Sequence, residues 1–192
     1  MKLTARDITL AALFAALMAI GANITSFIVI GGVPITLTTF FSILSGLILG
    51  SRLGAISMTV YALIGLAGAP VFSQFFGGPA IILRPTFGFI LSNILVAYVA
   101  GKVIEKKSTK SAFIMAALLG MAVNYAFGTN WMYAAYKYWF EAPDSFSYAL
   151  AWLWMVPPLP KDIIFSILAG GLAYRIRNKI YKPKNMHGKS IA

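Results

Sequence analysis

The chain has no cysteine and a single histidine, His187, in 192 residues. No disulfide framework or thiolate metal site is available. Neither a histidine metal cluster nor a Ser-His or Cys-His catalytic pair can be assembled. Acids are scarce as well, five against sixteen Lys and Arg. Catalysis needs converging acids, bases or nucleophiles, so these shortages point away from an enzyme and from any resident metal or cofactor. Charge of either sign is thin, at 11% of residues, where a soluble domain carries roughly 25%. In its place stand 59% hydrophobic residues and a mean hydropathy of +0.81. A soluble fold of this length cannot hide so much apolar surface, so the sequence calls for lipid as its solvent.

Apolar runs of about 20–25 residues would fit some six times into this length. The expected fold is an all-α, six-transmembrane-helix bundle over residues 1–178, with a basic polar tail at 179–192. Span one is read from Ile8 to Ile30, with Thr4 and Asp7 as N-cap candidates. Its basic start resembles a signal peptide, but the apolar run is too long for a signal core. Gly31-Gly32-Val33-Pro34 marks a turn. Span two is read at 35–50, span three at 53–66, and span four at 86–103 after a glycine- and aromatic-rich loop. Span five is expected from Ala112 to Trp139, with a bend near Gly128. Span six is interrupted: 148–156, then Pro157-Pro158-Leu159-Pro160, then 162–174.

The net charge of +11 would suggest nucleic acid in a soluble protein. Here the basic residues lie between spans, and six crossings from a cytoplasmic N-terminus place thirteen of the sixteen on the inner side. The positive-inside rule accounts for them and puts both termini in the cytoplasm. Nucleic acid is not an expected partner; the bilayer is. No internal repeat is visible, which argues against an inverted-repeat transporter.

Three basic residues escape the bias, Arg84, Lys137 and Lys161, and Asp162 follows Lys161 near membrane depth. Ionisable groups there face a cavity or a partner. The outer loop around Gln74, Phe76, Gly77, Gly78, Arg84 and Thr86 offers irregular backbone, aromatic walls and a guanidinium fork suited to a carboxylate. An interfacial loop with a snorkelling arginine is the plainer reading. Asp162 reads either as a helix cap or as an acceptor for the N–H groups of a buried ligand; Lys161 would bind an anionic tail. Asn130 and Tyr133 belong either to the ordinary aromatic belt or to a ligand site. Ala11, Ala15 and Ala19 recur every four residues on one helix face, beside Ala12 and Ala16. They suit close packing within the chain or a docking face for another subunit. Together the polar groups gather at the outer mouth of an apolar bundle, the make-up of a small-molecule site.

The ordered motifs Val33-Pro-Ile-Thr-Leu37, Gly65-Leu-Ala-Gly-Ala-Pro-Val71, Gly77-Gly78 and Pro85-Thr-Phe-Gly-Phe89 resemble the BioY family. These are biotin-binding S-components of energy-coupling factor (ECF) transporters. Pro160-Lys161-Asp162 resembles the family's Pro-Gly-Asp element, and the alanine stripe its coupling motif. The resemblance spans about 8–177. It implies a non-enzymatic, multi-pass subunit of a bacterial cell membrane that captures biotin from outside and tips over to release it. A transmembrane coupling subunit and two ATP-binding-cassette ATPase subunits would drive import. The substrate site it implies comprises Thr36, Gln74, Phe76, Gly77, Gly78, Arg84, Thr86, Asn130, Tyr133, Lys161 and Asp162, with Ala11, Ala15 and Ala19 as the docking face. This chain departs from the family pattern at Arg84 and Phe87, carries Phe76 for a usual asparagine, and has Phe165 where a lysine is usual. Arg84 or Lys161 is then expected to take the carboxylate contact. The alternatives are an S-component for another vitamin, or a membrane enzyme or scaffold.

Overall fold

The computed structural model describes residues 3–30 and 33–180, so the tail from 181 onward lies outside the described residues. Helix α1, Ala5–Asn23, opens with a capping box: Thr4 Oγ1 accepts from the Asp7 N–H, and the Asp7 carboxylate accepts from the Thr4 N–H. It ends seven residues before Ile30. Ser26 Oγ donates to the Asn23 carbonyl and Thr25 Oγ1 to the Ile35 carbonyl, which draws the backbone out of the helix. The β-branched run that follows makes a short antiparallel pair, β1 Val29–Ile30 with β2 Val33–Pro34. Among the described residues the fold is therefore helical with one short antiparallel strand pair, called the hairpin below, rather than purely α.

Helices α2, Thr38–Leu49, and α3, Ser51–Leu66, turn on Gly50, whose φ of +88° favours glycine. At this corner the Glu105 carboxylate accepts from Ser51 N (2.8 Å) and Ser51 Oγ (2.7 Å), capping α3 with a negative group from another helix. Helix α4, Phe87–Lys106, packs on α2, α3 and α5. Helix α5, Lys110–Tyr138, is continuous through Gly128, where the missing side chain makes room for the Phe89 ring. Helix α6, Tyr148–Leu153, is one short turn-rich piece. Helix α7 runs Leu159–Ile180. The expected interruption is present as a turn over 154–158 that contains Pro157 and Pro158, and α7 can begin inside the proline cluster because Pro160 falls in the first turn, where a missing N–H is harmless. The helix also passes the expected boundary at 178.

Large apolar residues fill the centre: Met18, Ile43, Leu47, Met58, Val96, Ile104 and Phe113. Close approach relies on small residues; a side chain at Gly46 would strike the Ala97 carbonyl. The outside is apolar too, with Leu13, Ile20, Leu63, Met115, Ile164 and Leu168 exposed. Such a belt is sustainable in lipid and not in water. Among the described residues three helices, α1, α4 and α5, are long and apolar enough to cross a membrane, and α2 and α3 are shorter apolar helices. This is a membrane protein.

The alanine stripe divides. Ala11 and Ala15 are buried, and the Ala11 carbonyl accepts from Ser57 Oγ at 2.7 Å. Ala19 is half-buried, while Ala12 and Ala16 are exposed. The set named for docking thus serves packing of α1 on its own bundle, and the neighbouring pair faces outward. One residue turns a helix by about 100°, enough to separate the two sets.

Candidate functional site

At one end of the bundle the end of α1, the hairpin, the starts of α2, α4 and α7 and the loop 72–86 surround a cavity of about 160 Å³. Its shape depends on a strained loop. Gln74 and Phe75 both adopt positive φ, 61° and 57°. Two buried side chains near the end of α1 hold them: Asn23 Oδ1 accepts from Phe75 N at 2.7 Å, and Ser26 Oγ accepts from Gln74 N at 3.1 Å. Asn23 Nδ2 also donates to the Val71 carbonyl. Strain of this kind survives only where surroundings over-determine it, and it clusters at binding sites. Gly78, at φ +95°, donates its N–H to the Gly65 carbonyl at 2.7 Å and closes the loop behind the wall.

Seven expected residues line this cavity: Thr36, Gln74, Phe76, Arg84, Thr86, Lys161 and Asp162. Asp162 is 6% exposed. Its carboxylate accepts from Tyr125 Oη (2.7 Å) and pairs with Lys161 Nζ (2.8 Å), so it binds side chains and does not cap α7. Lys161 Nζ also donates to the Thr36 carbonyl, tying α7 to the segment between β2 and α2. Arg84 is exposed at the rim with its guanidinium 3.9 Å from the centroid of the Phe76 ring. The two cations differ in kind: Lys161 is engaged within the chain, whereas Arg84 makes no salt bridge among the described residues.

Four expected residues are off the wall. Gly77 and Gly78 shape the loop. Asn130 Nδ2 returns to the Ala126 carbonyl, and its Oδ1 accepts from Tyr148. Tyr133 packs between Phe146 and Tyr148 in an aromatic cluster under α6. Phe87 likewise turns to Trp131. The structure adds lining residues outside the expected site set, chiefly Thr39, Asn93, Asn124 and Tyr125. The usable signal was their polarity within apolar spans.

A membrane-embedded helical bundle with a mixed apolar and charged cavity at its end is a small-molecule binding protein of the bilayer. The BioY family model matches residues 1–182, and the chain belongs to the BioY family. It is 42% identical over 196 residues to the BioYB protein of Bacillus subtilis, covering 100% of this chain and 97% of that one. It is 37% identical over 123 residues to the biotin transporter BioY of Thermotoga maritima, covering 64% and 72% respectively. The fold matches a crystal structure described as the S-component for biotin from an ECF-type ABC transporter. The TM-score is 0.78 at 22% identity, over 92% of this chain and 95% of that one.

Proposed function

We propose that this chain is the substrate-binding subunit of a vitamin uptake transporter and that its ligand is biotin. The observation that carries the reading is the end cavity, where a carboxylate acceptor, an ammonium and a guanidinium meet in an otherwise apolar bundle. Family membership and the names borne by its relatives support biotin as the vitamin. In this reading Asp162 accepts N–H groups of the ligand's ring, and Arg84 receives its carboxylate. Thr36, Gln74, Phe76 and Thr86 complete the wall.

The chain crosses the cell membrane six times, with α6 and α7 forming the last crossing and both termini cytoplasmic. Support comes from charge: Arg6, Arg52, Lys102, Lys106, Lys107, Lys110, Arg175, Arg177 and Lys179 stand at the helix ends away from the cavity. The cavity then opens outward. The subunit binds and releases without chemistry or a cofactor of its own. Import is driven by a transmembrane coupling subunit with two ATP-binding-cassette ATPases.

The coupling subunit docks on the exposed side of α1, at Ala12 and Ala16. Leucine at both positions abolishes co-purification with the partner subunits and leaves biotin affinity unchanged. Retained assembly would remove this face from the interface.

The direct test is equilibrium binding of labelled biotin to the purified protein in detergent. Saturable one-to-one binding that thiamine and riboflavin do not displace is the expected result. Binding of a different vitamin, with none of biotin, overturns the reading.

A further inference from the structure

Asn93 of α4 is 2% exposed and forms part of the cavity wall. Its neighbours decide which way round its amide sits. Ser92 Oγ donates to the Phe89 carbonyl at 2.8 Å and so accepts from Asn124 Nδ2, 2.7 Å away. The other end of the Asn124 amide is then the acceptor for Thr39 Oγ1, at 3.4 Å. The remaining Asn124 amide hydrogen meets Asn93 Oδ1 at 3.5 Å. Every step runs in one direction, from Thr39 and Asn124 to the Asn93 oxygen. The Asn93 nitrogen keeps two N–H donors, and no hydrogen bond from them is found among the described residues. Buried amides are satisfied in nearly all folded proteins. On a cavity wall, the acceptor that satisfies this one belongs to whatever fills the cavity.

We propose that Asn93 is a ligand-binding residue that donates to an acceptor on the ligand's buried head. Its position relative to Asp162 narrows the chemistry. Asp162 is held by Tyr125 and Asn93 by Asn124, consecutive residues of α5. A carboxylate acceptor from α7 and an amide donor from α4 therefore flank α5 at one level of the cavity. The head they match carries N–H and C=O side by side, as in a cyclic urea or an amide. This rests on the biotin reading and extends it: Asp162 takes a urea N–H and Asn93 the urea carbonyl, while Arg84 stays at the rim for the tail.

The test compares biotin with 2-iminobiotin, whose head is a guanidinium near neutral pH and offers donors only. Asn93→Leu weakens biotin about tenfold or more, the loss of one buried hydrogen bond, and leaves the imino analogue nearly unchanged. Asn93→Asp is close to isosteric and keeps the acceptor for Asn124. It weakens biotin and strengthens the imino analogue, reversing the preference. Melting curves in detergent verify that both variants are folded. Equal losses for the two ligands, or no loss for either, overturn the role of Asn93. A wild-type protein that binds neither ligand overturns the biotin reading instead, which separates the two failures.

Discussion

Asp162→Asn weakens biotin binding about tenfold to a hundredfold, the cost of about 1–3 kcal/mol for a mismatched buried polar contact. Asparagine keeps the size of the side chain and can still accept from Tyr125, but its amide nitrogen then faces Lys161 Nζ, so melting curves are read beside the affinity to separate the ligand's loss from that of the ion pair. Asp162→Leu goes further. It strands the Lys161 ammonium, which is 23% exposed at its side chain, beside an apolar wall. Breaking a buried pair by removing one partner costs about 3–5 kcal/mol. Partial access of Lys161 to the cavity puts this case near the lower figure. Adding Lys161→Met to Asp162→Leu recovers most of the melting temperature, because a matched apolar pair restores what the lone cation lost. Binding stays absent in the double variant. A double variant that regained affinity would reduce Asp162 to a structural counter-ion.

Arg84→Ala weakens biotin about tenfold and weakens biotin amide by much less. A hydrogen bond to a charged group contributes about 1.5–3 kcal/mol, and exposure at the rim holds Arg84 to the lower end. The discrimination follows from the geometry. Lys161 already faces Asp162 and the Thr36 carbonyl, so its loss should affect acid and amide alike. Among the described residues the Arg84 guanidinium lies over the Phe76 ring and makes no salt bridge, so its planar fork is available for a carboxylate. Arg84→Lys restores charge without the fork or the stacking, and recovers only part of the affinity. Raising salt narrows the difference between acid and amide in the wild type, since exposed charge pairs are screened. Titration calorimetry on the wild type and three variants with the two ligands checks the whole set. Equal losses for acid and amide at Arg84→Ala would move the tail contact to Lys161.

Much of the site was legible because polar residues are rare in this chain. Arg84 and Lys161 stood out as cations against the charge bias, with Asp162 beside Lys161, and all three reach one cavity, whereas Lys137, the third exception, lies against the Tyr133 and Tyr138 rings instead. Thr36, Gln74 and Phe76 came with the loop motifs. Asn130 and Tyr133 looked equally promising, yet they build the aromatic packing beneath α6. Asn93, which the sequence reading did not single out, lies on the wall.

Composition alone determined that the chain lives in lipid, and charge placement set out its helices and the odd charges among them. Those conclusions are properties of length and solvent. Tertiary structure decided which side of each helix faces inward. In water, an apolar stripe marks the buried face of a helix, but in lipid both faces are apolar and the stripe disappears. Ala11 and Ala15 could not be told from Ala12 and Ala16 by spacing, and only packing against α3 separates them. The hairpin at 29–34 and the strained turn at Gln74 and Phe75 were hidden for the same kind of reason. The turn is held by Asn23 on Phe75, 52 residues apart, a contact that exists only once the bundle has formed, and the strand pair by Thr25 on Ile35, which spacing alone does not reveal.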